Sequence, residues 1–262
     1  MKFFKILKNI KSKIIAVEII IVLTFFFVDW SIVSGCNGIK LSLFDLIINC
    51  AGSGCLSKMI IGFPIVICFV FLVISIISSN DNVFVILRYK SKQSMWRKQS
   101  IDVIAFSFIY SFIVVIQAYL ISGIVNKSFQ NNWTMSNSSV YLCLGKKVFG
   151  KVQENFSTIR ILFLLFICLF VGLVTIGMIV AMLKLFFKVE FVYLFFIGGI
   201  FVELIVEEAK IIITYMALNY KHIVYTKEFI INMIFLGCLG GLAYIIGKGK
   251  IVNKDYLQGK IE

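Results

Sequence analysis

Carboxyl groups are the side chains of this sequence whose types and spacing first invite chemistry. Glu203 and Glu207 are four positions apart and share one face of a helix, with Glu208 beside them and Lys210 three positions after Glu207. They close a long apolar run, and an ionisable group at membrane depth is costly unless it faces protein or a water-filled cavity. An acidic patch of this kind is suited to meet a cationic peptide or to gate an outer vestibule. The alternative is structural: Glu207 pairs with Lys210 or with a neighbouring helix as the run emerges into the interface. Glu18, Asp29 and Asp102 pose the same question in other apolar runs. Asp29 and Asp102 are expected at membrane interfaces, whereas Glu18, about one turn inside, is within reach of a cytoplasmic Lys or Arg.

Catalysis by familiar constellations is excluded by simple counts. A single histidine, His222, cannot supply a two-histidine metal site, which removes the HExxH proteases and most intramembrane metalloproteases. As a lone histidine in an outer loop, it is given no role. The Glu207-Glu208 pair is similar to the double glutamate of CAAX-type intramembrane proteases, yet position 212, where those enzymes carry Arg, is Ile, and their later histidines are missing. The string nearest to a P-loop, Gly247-Lys248-Gly249-Lys250, has Leu242 where the first Gly belongs and no Ser or Thr after the Lys. No catalytic residue, metal ligand or bound cofactor is therefore assigned to this chain, and any energy source lies elsewhere. Of the 7 cysteines, Cys68, Cys168 and Cys238 sit in apolar runs and pack as small hydrophobes. Cys36, Cys50, Cys55 and Cys143 fall in outer segments where a disulfide is chemically allowed, and their spacing names no pairing.

The elements that hold these residues follow from composition. Of 262 residues, 60% are hydrophobic and 15% charged, with a mean hydropathy of +1.00. That is more apolar surface than one soluble core of this size encloses. The expected fold is an all-α integral membrane protein, a single transmembrane domain over 1–262. Apolar runs of about 20 residues place six transmembrane helices at 14–34, 59–78, 101–123, 158–183, 189–206 and 229–246. The first is not a cleaved signal peptide, because its run is long and ends in Asp29-Trp30-Ser31 rather than a small-x-small site. Before it, Phe3, Phe4, Ile6, Leu7, Ile10 and Ile14 share a helical face apart from Lys2, Lys5, Lys8, Lys11 and Lys13, as in an amphipathic helix lying among headgroups. Pro64 is expected to bend the second span. Gly198, Gly199, Gly237, Gly240 and Gly241 are expected to permit close helix approach.

Charge sets the orientation. The chain carries 26 Lys and Arg against 13 Asp and Glu, a net +13, and such a surplus belongs first to loops at an anionic membrane face. With a cytoplasmic N-terminus, sixteen of the 26 cations fall on inner segments. Both termini are therefore expected in the cytoplasm, and a composition rich in Lys, Asn, Ile and Phe looks like the product of an AT-rich bacterial genome, so the expected location is a bacterial plasma membrane. The bias is weakest in the outer loop around 124–157, with Lys127, Lys146, Lys147 and Lys151. This loop and its Asn-x-Ser/Thr strings are read as solvated. No basic, aromatic-interleaved soluble module is present, so nucleic acid is not expected as a partner.

The most informative inner segment is 79–100. It carries Arg88, Tyr89, Lys90, Lys92, Met95, Trp96, Arg97 and Lys98, a mixture able to lie along headgroups or to dock in a groove on a soluble partner. The order Arg-Tyr-x-Ser-Lys-x-x-x-Trp-x-x-Gln at 88–99, between the second and third of six spans, resembles the coupling-helix region of the bacterial ABC-2 type transporter permeases. The likeness is to the small members found with antimicrobial-peptide export or immunity systems. It covers the whole length in layout and about a dozen residues in motif. Those permeases have an elbow helix before the first span, here 2–13, and a re-entrant outer segment between spans five and six, here 206–228. The polar outer loop at 124–157 departs from the larger members.

The resemblance implies the membrane-spanning subunit of an exporter for a peptide or other amphiphile, with ATP and Mg bound by a separate cytoplasmic ABC ATPase dimer. It implies a second permease subunit, identical or related, and alternating access driven through the cytoplasmic coupling helix. Arg88, Tyr89, Lys92 and Trp96 are the expected ATPase-coupling residues, and Glu203 and Glu207 the substrate-path candidates. The alternative is a non-transporting immunity or sensor protein that binds a peptide at its outer loops.

Overall fold

In lipid, backbone N–H and C=O groups must be satisfied within the protein, and a helix does so within its own segment, so long apolar runs fold as helices. The computed structural model describes residues 10–36, 41–48, 53–80, 91–136, 138–206 and 208–253, and no strand occurs among them. In chain order the helices are α1 (Lys11–Gly35), α2 (Leu43–Ile47), α3 (Lys58–Ser79), α4 (Lys92–Val125), α5 (Ser139–Leu144), α6 (Lys146–Val152), α7 (Thr158–Leu183), α8 (Val189–Ile205), α9 (Ile213–Met216), α10 (Tyr220–Val224) and α11 (Thr226–Asn253). Five of them, α1, α3, α4, α7 and α11, are long and apolar enough to cross a membrane, so the chain is a multi-pass membrane protein. The expected span at 189–206 is α8, which has 17 residues and is about 25 Å long.

Two boundaries differ from the sequence reading. A coupling segment at 88–99 was expected to be separate from a span starting at 101. Lys92–Ser100 is instead the opening of α4, one continuous helix of 34 residues, about 50 Å long against a hydrocarbon core of about 30 Å. Its start is set by a reciprocal cap: Ser94 N–H donates to Ser91 Oγ at 3.1 Å, and Ser91 N–H donates to Ser94 Oγ at 3.3 Å. No Gly or Pro interrupts it before Gly123. The elbow expected at 2–13 falls largely on residues 1–9, outside the described residues, and Lys11 to Lys13 form the first turn of α1.

Side-chain contacts give each helix a direction. Arg160 reaches Thr226 at 3.5 Å, Thr175 Oγ1 donates to Leu236 O at 2.8 Å and Lys250 lies over the Phe186 ring, so α7 and α11 run parallel. Lys184 Nζ donates to Ser78 Oγ at 2.9 Å, and a Cβ at Gly177 would lie 3.5 Å from the Phe69 ring, which aligns α3 with them. The others run the opposite way. Trp96, near the start of α4, bonds Tyr244 O near the end of α11, Lys13 of α1 donates to Ser75 near the end of α3, and Lys58, at the start of α3, bonds Glu203 O near the end of α8.

The core lies where α7 meets α3, α4, α9 and α11. Side chains at Gly172 and Gly177 would overlap Met216 and Val103, so these positions let α9 and α4 approach the α7 backbone. Pro64 lies within a π-helical stretch, Ile61–Val66, at the start of α3. Its missing N–H loosens the backbone ladder there, and Tyr110 Oη donates to Ile65 O at 3.1 Å.

The expected solvated loop at 124–157 is folded. Trp133 is fully buried against Phe44 and Phe156, and its Nε1 donates to Asp45 Oδ1 at 2.7 Å. Asp45 also accepts from Ser139 Oγ and from Ser42 N–H, so one carboxylate ties α2 to α5. Asn126, the first residue of one Asn-x-Ser string, donates to Leu41 O at 3.1 Å.

Candidate functional site

The basic opening of α4 is the first candidate. Lys92 and Arg97 are exposed, and Lys92 Nζ donates to Val252 O at 3.1 Å, near the end of α11. Trp96, expected on a docking surface, points the other way. It is fully buried, its indole donates to Tyr244 O at 3.1 Å, and its ring fills the space that a side chain at Gly247 would take. Trp96 is therefore a brace between α4 and α11. Arg88 and Tyr89 lie outside the described residues. Next to the brace, Asp102 is buried and pairs with Lys98 one turn earlier.

Glu203 and the turn after α8 form the second candidate. Glu203 is 2% exposed, and its carboxylate accepts from the backbone N–H groups of Ile212 at 3.0 Å, Ile213 at 3.1 Å and Thr214. Those donors are the otherwise unpaired N–H groups where α9 begins, and a carboxylate there also complements the helix dipole. This geometry makes Glu203 the anchor that folds the chain back after α8, with its oxygens already engaged. Glu207 lies outside the described residues.

Beyond α9 a cavity of about 460 Å³ opens among Lys210, Thr214, Tyr215, His222, Glu228 and Asn232. His222 Nδ1 accepts from Asn219 N–H at 3.4 Å, and its Nε2 lies 3.3 Å from Asn232 Nδ2. Burial pushes the His222 pKa below its ordinary 6.5, against the opposing pull of Glu228. Thr214 Oγ1 is buried and has no hydrogen-bond partner among the described residues. Sequence reasoning gave His222 no role, and the signal it missed is the Asn219-to-His222 spacing of a capping box, in which His222 N–H donates back to Asn219 Oδ1 at 3.2 Å.

Two further carboxyls, Glu18 and Asp29, are held between α1 and α4. Glu18 accepts from Gln117 Nε2 across the α1–α4 contact, not from a Lys or Arg. Asp29, expected at an interface, is fully buried and accepts from Ser122 Oγ at 2.6 Å. Cys55 Sγ is 3.8 Å from the same Ser122 hydroxyl. Burial first, then the neighbouring Asp29, push the Cys55 thiol well above its usual range, so it is a poor nucleophile. Cys36, Cys55, Cys68, Cys143, Cys168 and Cys238 are all unbridged, and Cys50 lies outside the described residues. No cluster of metal-ligating side chains occurs among the described residues.

Comparison with protein-family models, with curated proteins and with solved structures finds no match to this chain.

Proposed function

We propose that this chain is the membrane-spanning subunit of an ATP-binding-cassette exporter of the ABC-2 type. It crosses the membrane six times with both ends on the cytoplasmic face of a bacterial plasma membrane. The sixth crossing is α8: it starts near the end of α7, and its Glu203 meets Lys58 at the start of α3. Exposed Phe191, Leu194, Phe195 and Ile205 suit it to lipid. Met216 of α9 reaches Gly172, halfway along α7, which supports a re-entrant segment between α8 and α11.

The observation that carries the reading is the continuous α4. Its basic opening stands beyond the apolar part of the helix and is braced on the end of α11 by Trp96. A separate ATPase dimer, binding ATP and Mg, meets Arg88, Tyr89 and Lys92. Its closure tilts α4, and Trp96 passes that tilt to α11. A second permease subunit completes the pathway for a peptide or other amphiphile. The test is purification in mild detergent followed by transport in vesicles. An ATPase is expected to co-purify, and Arg88→Ala with Trp96→Ala is expected to uncouple ATP hydrolysis from transport. Absence of an ATPase, together with intact transport in the double variant, overturns the reading.

The cavity around Thr214 and His222 favours a second reading, a non-transporting immunity or sensor protein that takes part of a peptide there. Resistance that survives loss of ATP hydrolysis in the partner selects it.

A further inference from the structure

A groove of about 640 Å³ runs between α4, α7 and α11, with Arg97 and Tyr244 at one end and Phe170 and Gly237 at the other. Its wall is apolar apart from Arg97 and Tyr244 at the mouth, and the hydroxyls of Thr175 and Ser100 are already used. Thr175 Oγ1 donates within bonding distance of Val171 O and Leu236 O, at 2.9 and 2.8 Å, and Ser100 Oγ donates to Trp96 O at 3.0 Å. A wall whose inner hydroxyls are already bonded calls for an apolar occupant. Gly237 and Gly241, four apart on one face of α11, were expected to seat a neighbouring helix. A Cβ at either meets nothing within 4 Å, so they leave the groove open.

The charge at the mouth identifies the occupant. Arg97 is exposed one turn before Ile101, where the apolar part of α4 begins, and makes no hydrogen bond or ion pair with the described residues. Its neighbours are engaged: Lys98 with Asp102, Lys92 with Val252 O, Lys184 with Ser78 and Lys250 with the Phe186 ring. A guanidinium at headgroup level above an apolar slot matches a phosphate joined to a hydrocarbon chain. We propose that the groove holds an acyl chain of an anionic phospholipid whose phosphodiester is bound by Arg97.

This proposal does not depend on the export reading, and its test needs no ATPase. The full chain, purified in detergent, is titrated with phosphatidylglycerol and with phosphatidylethanolamine and followed by native mass spectrometry. Phosphatidylglycerol is expected to bind about tenfold more tightly, because its headgroup is net anionic whereas the ammonium of phosphatidylethanolamine offsets the phosphodiester charge beside Arg97. Arg97→Gln is expected to erase that preference, Arg97→Lys to keep part of it, and Gly241→Leu to prevent retention of either lipid by filling the slot. Gly237→Leu serves if Gly241→Leu does not fold, and circular dichroism checks the helices of each variant. An unchanged preference in Arg97→Gln overturns the proposal. So does a Gly241→Leu protein that keeps its lipid but loses a dimer, since the groove would then seat a second copy of the chain.

Discussion

At the scale of single residues, Glu203, Asp102, Glu18 and Asp29 each hold a neighbouring group in the fold. Glu203 holds three backbone N–H groups where the chain turns back after α8. Glu203→Ala leaves those donors buried and unpaired, and is expected to lower stability by about 2–3 kcal/mol, measured by thermal unfolding in detergent. Glu203→Gln retains an amide oxygen and is expected to lose less. His222 gives a pH dependence with a definite sign. Its folded pKa lies below its unfolded value of 6.5, so under acid conditions the unfolded segment binds the proton that the folded one resists. The stability it contributes is full at neutral pH and falls as pH drops through 6.5 toward the depressed folded value. Hydrogen-exchange protection factors in α10 and the first turn of α11, corrected for the intrinsic rate, are expected to fall as pH drops from about 7.5 to about 5.5, and His222→Gln to flatten that change. The sequence placed Glu203 near the end of a helix, which is α8. It could not reveal that Ile212, Ile213 and Thr214 are its partners, because only a chain reversal brings their N–H groups to one carboxylate.

At the scale of elements, the deciding feature is the length of α4. The sequence reading began the span at residue 101 because Arg97 and Lys98 lie outside hydrocarbon, and that reasoning concerns solvent, not backbone. Nothing between Lys92 and Ser122 breaks a helix, so the backbone continues. Trp96 then sits on the face that meets α11, bonded to Tyr244 O and seated on Gly247. Trp96→Ala removes the whole buried indole and is expected to cost about 3–5 kcal/mol, measured by thermal unfolding. Gly247→Leu is expected to destabilise the same junction by pushing the ring out, and the two effects should fall short of additive because they act on one contact. The π-helical start of α3 was legible as a proline in a span, whereas the hydrogen bond from Tyr110 to Ile65 O required the fold.

At the scale of the whole molecule, α1, α4 and α8 run one way and α3, α7 and α11 the other, which puts both described ends on one face. If that face is cytoplasmic, as the cation bias requires, a membrane-impermeant maleimide on intact cells labels exposed Cys143 in α5. Lys92→Cys, in a background with Cys36, Cys50 and Cys143 changed to Ser, is expected to react only after permeabilisation. Labelling in the reverse order inverts the topology. Helical class, multiple crossings and the approximate edges of the spans were determined by the sequence alone, because apolar run length and cation placement act locally and need no partner. The fold decided what local pattern cannot carry. It turned Trp96 inward, buried Trp133 and bonded it to Asp45 beneath a loop that reads as polar, engaged Glu203, and opened a groove from residues on α4, α7 and α11. Each of these is a contact between segments far apart in the chain, so the face a side chain uses is fixed only when its partner helix is in place.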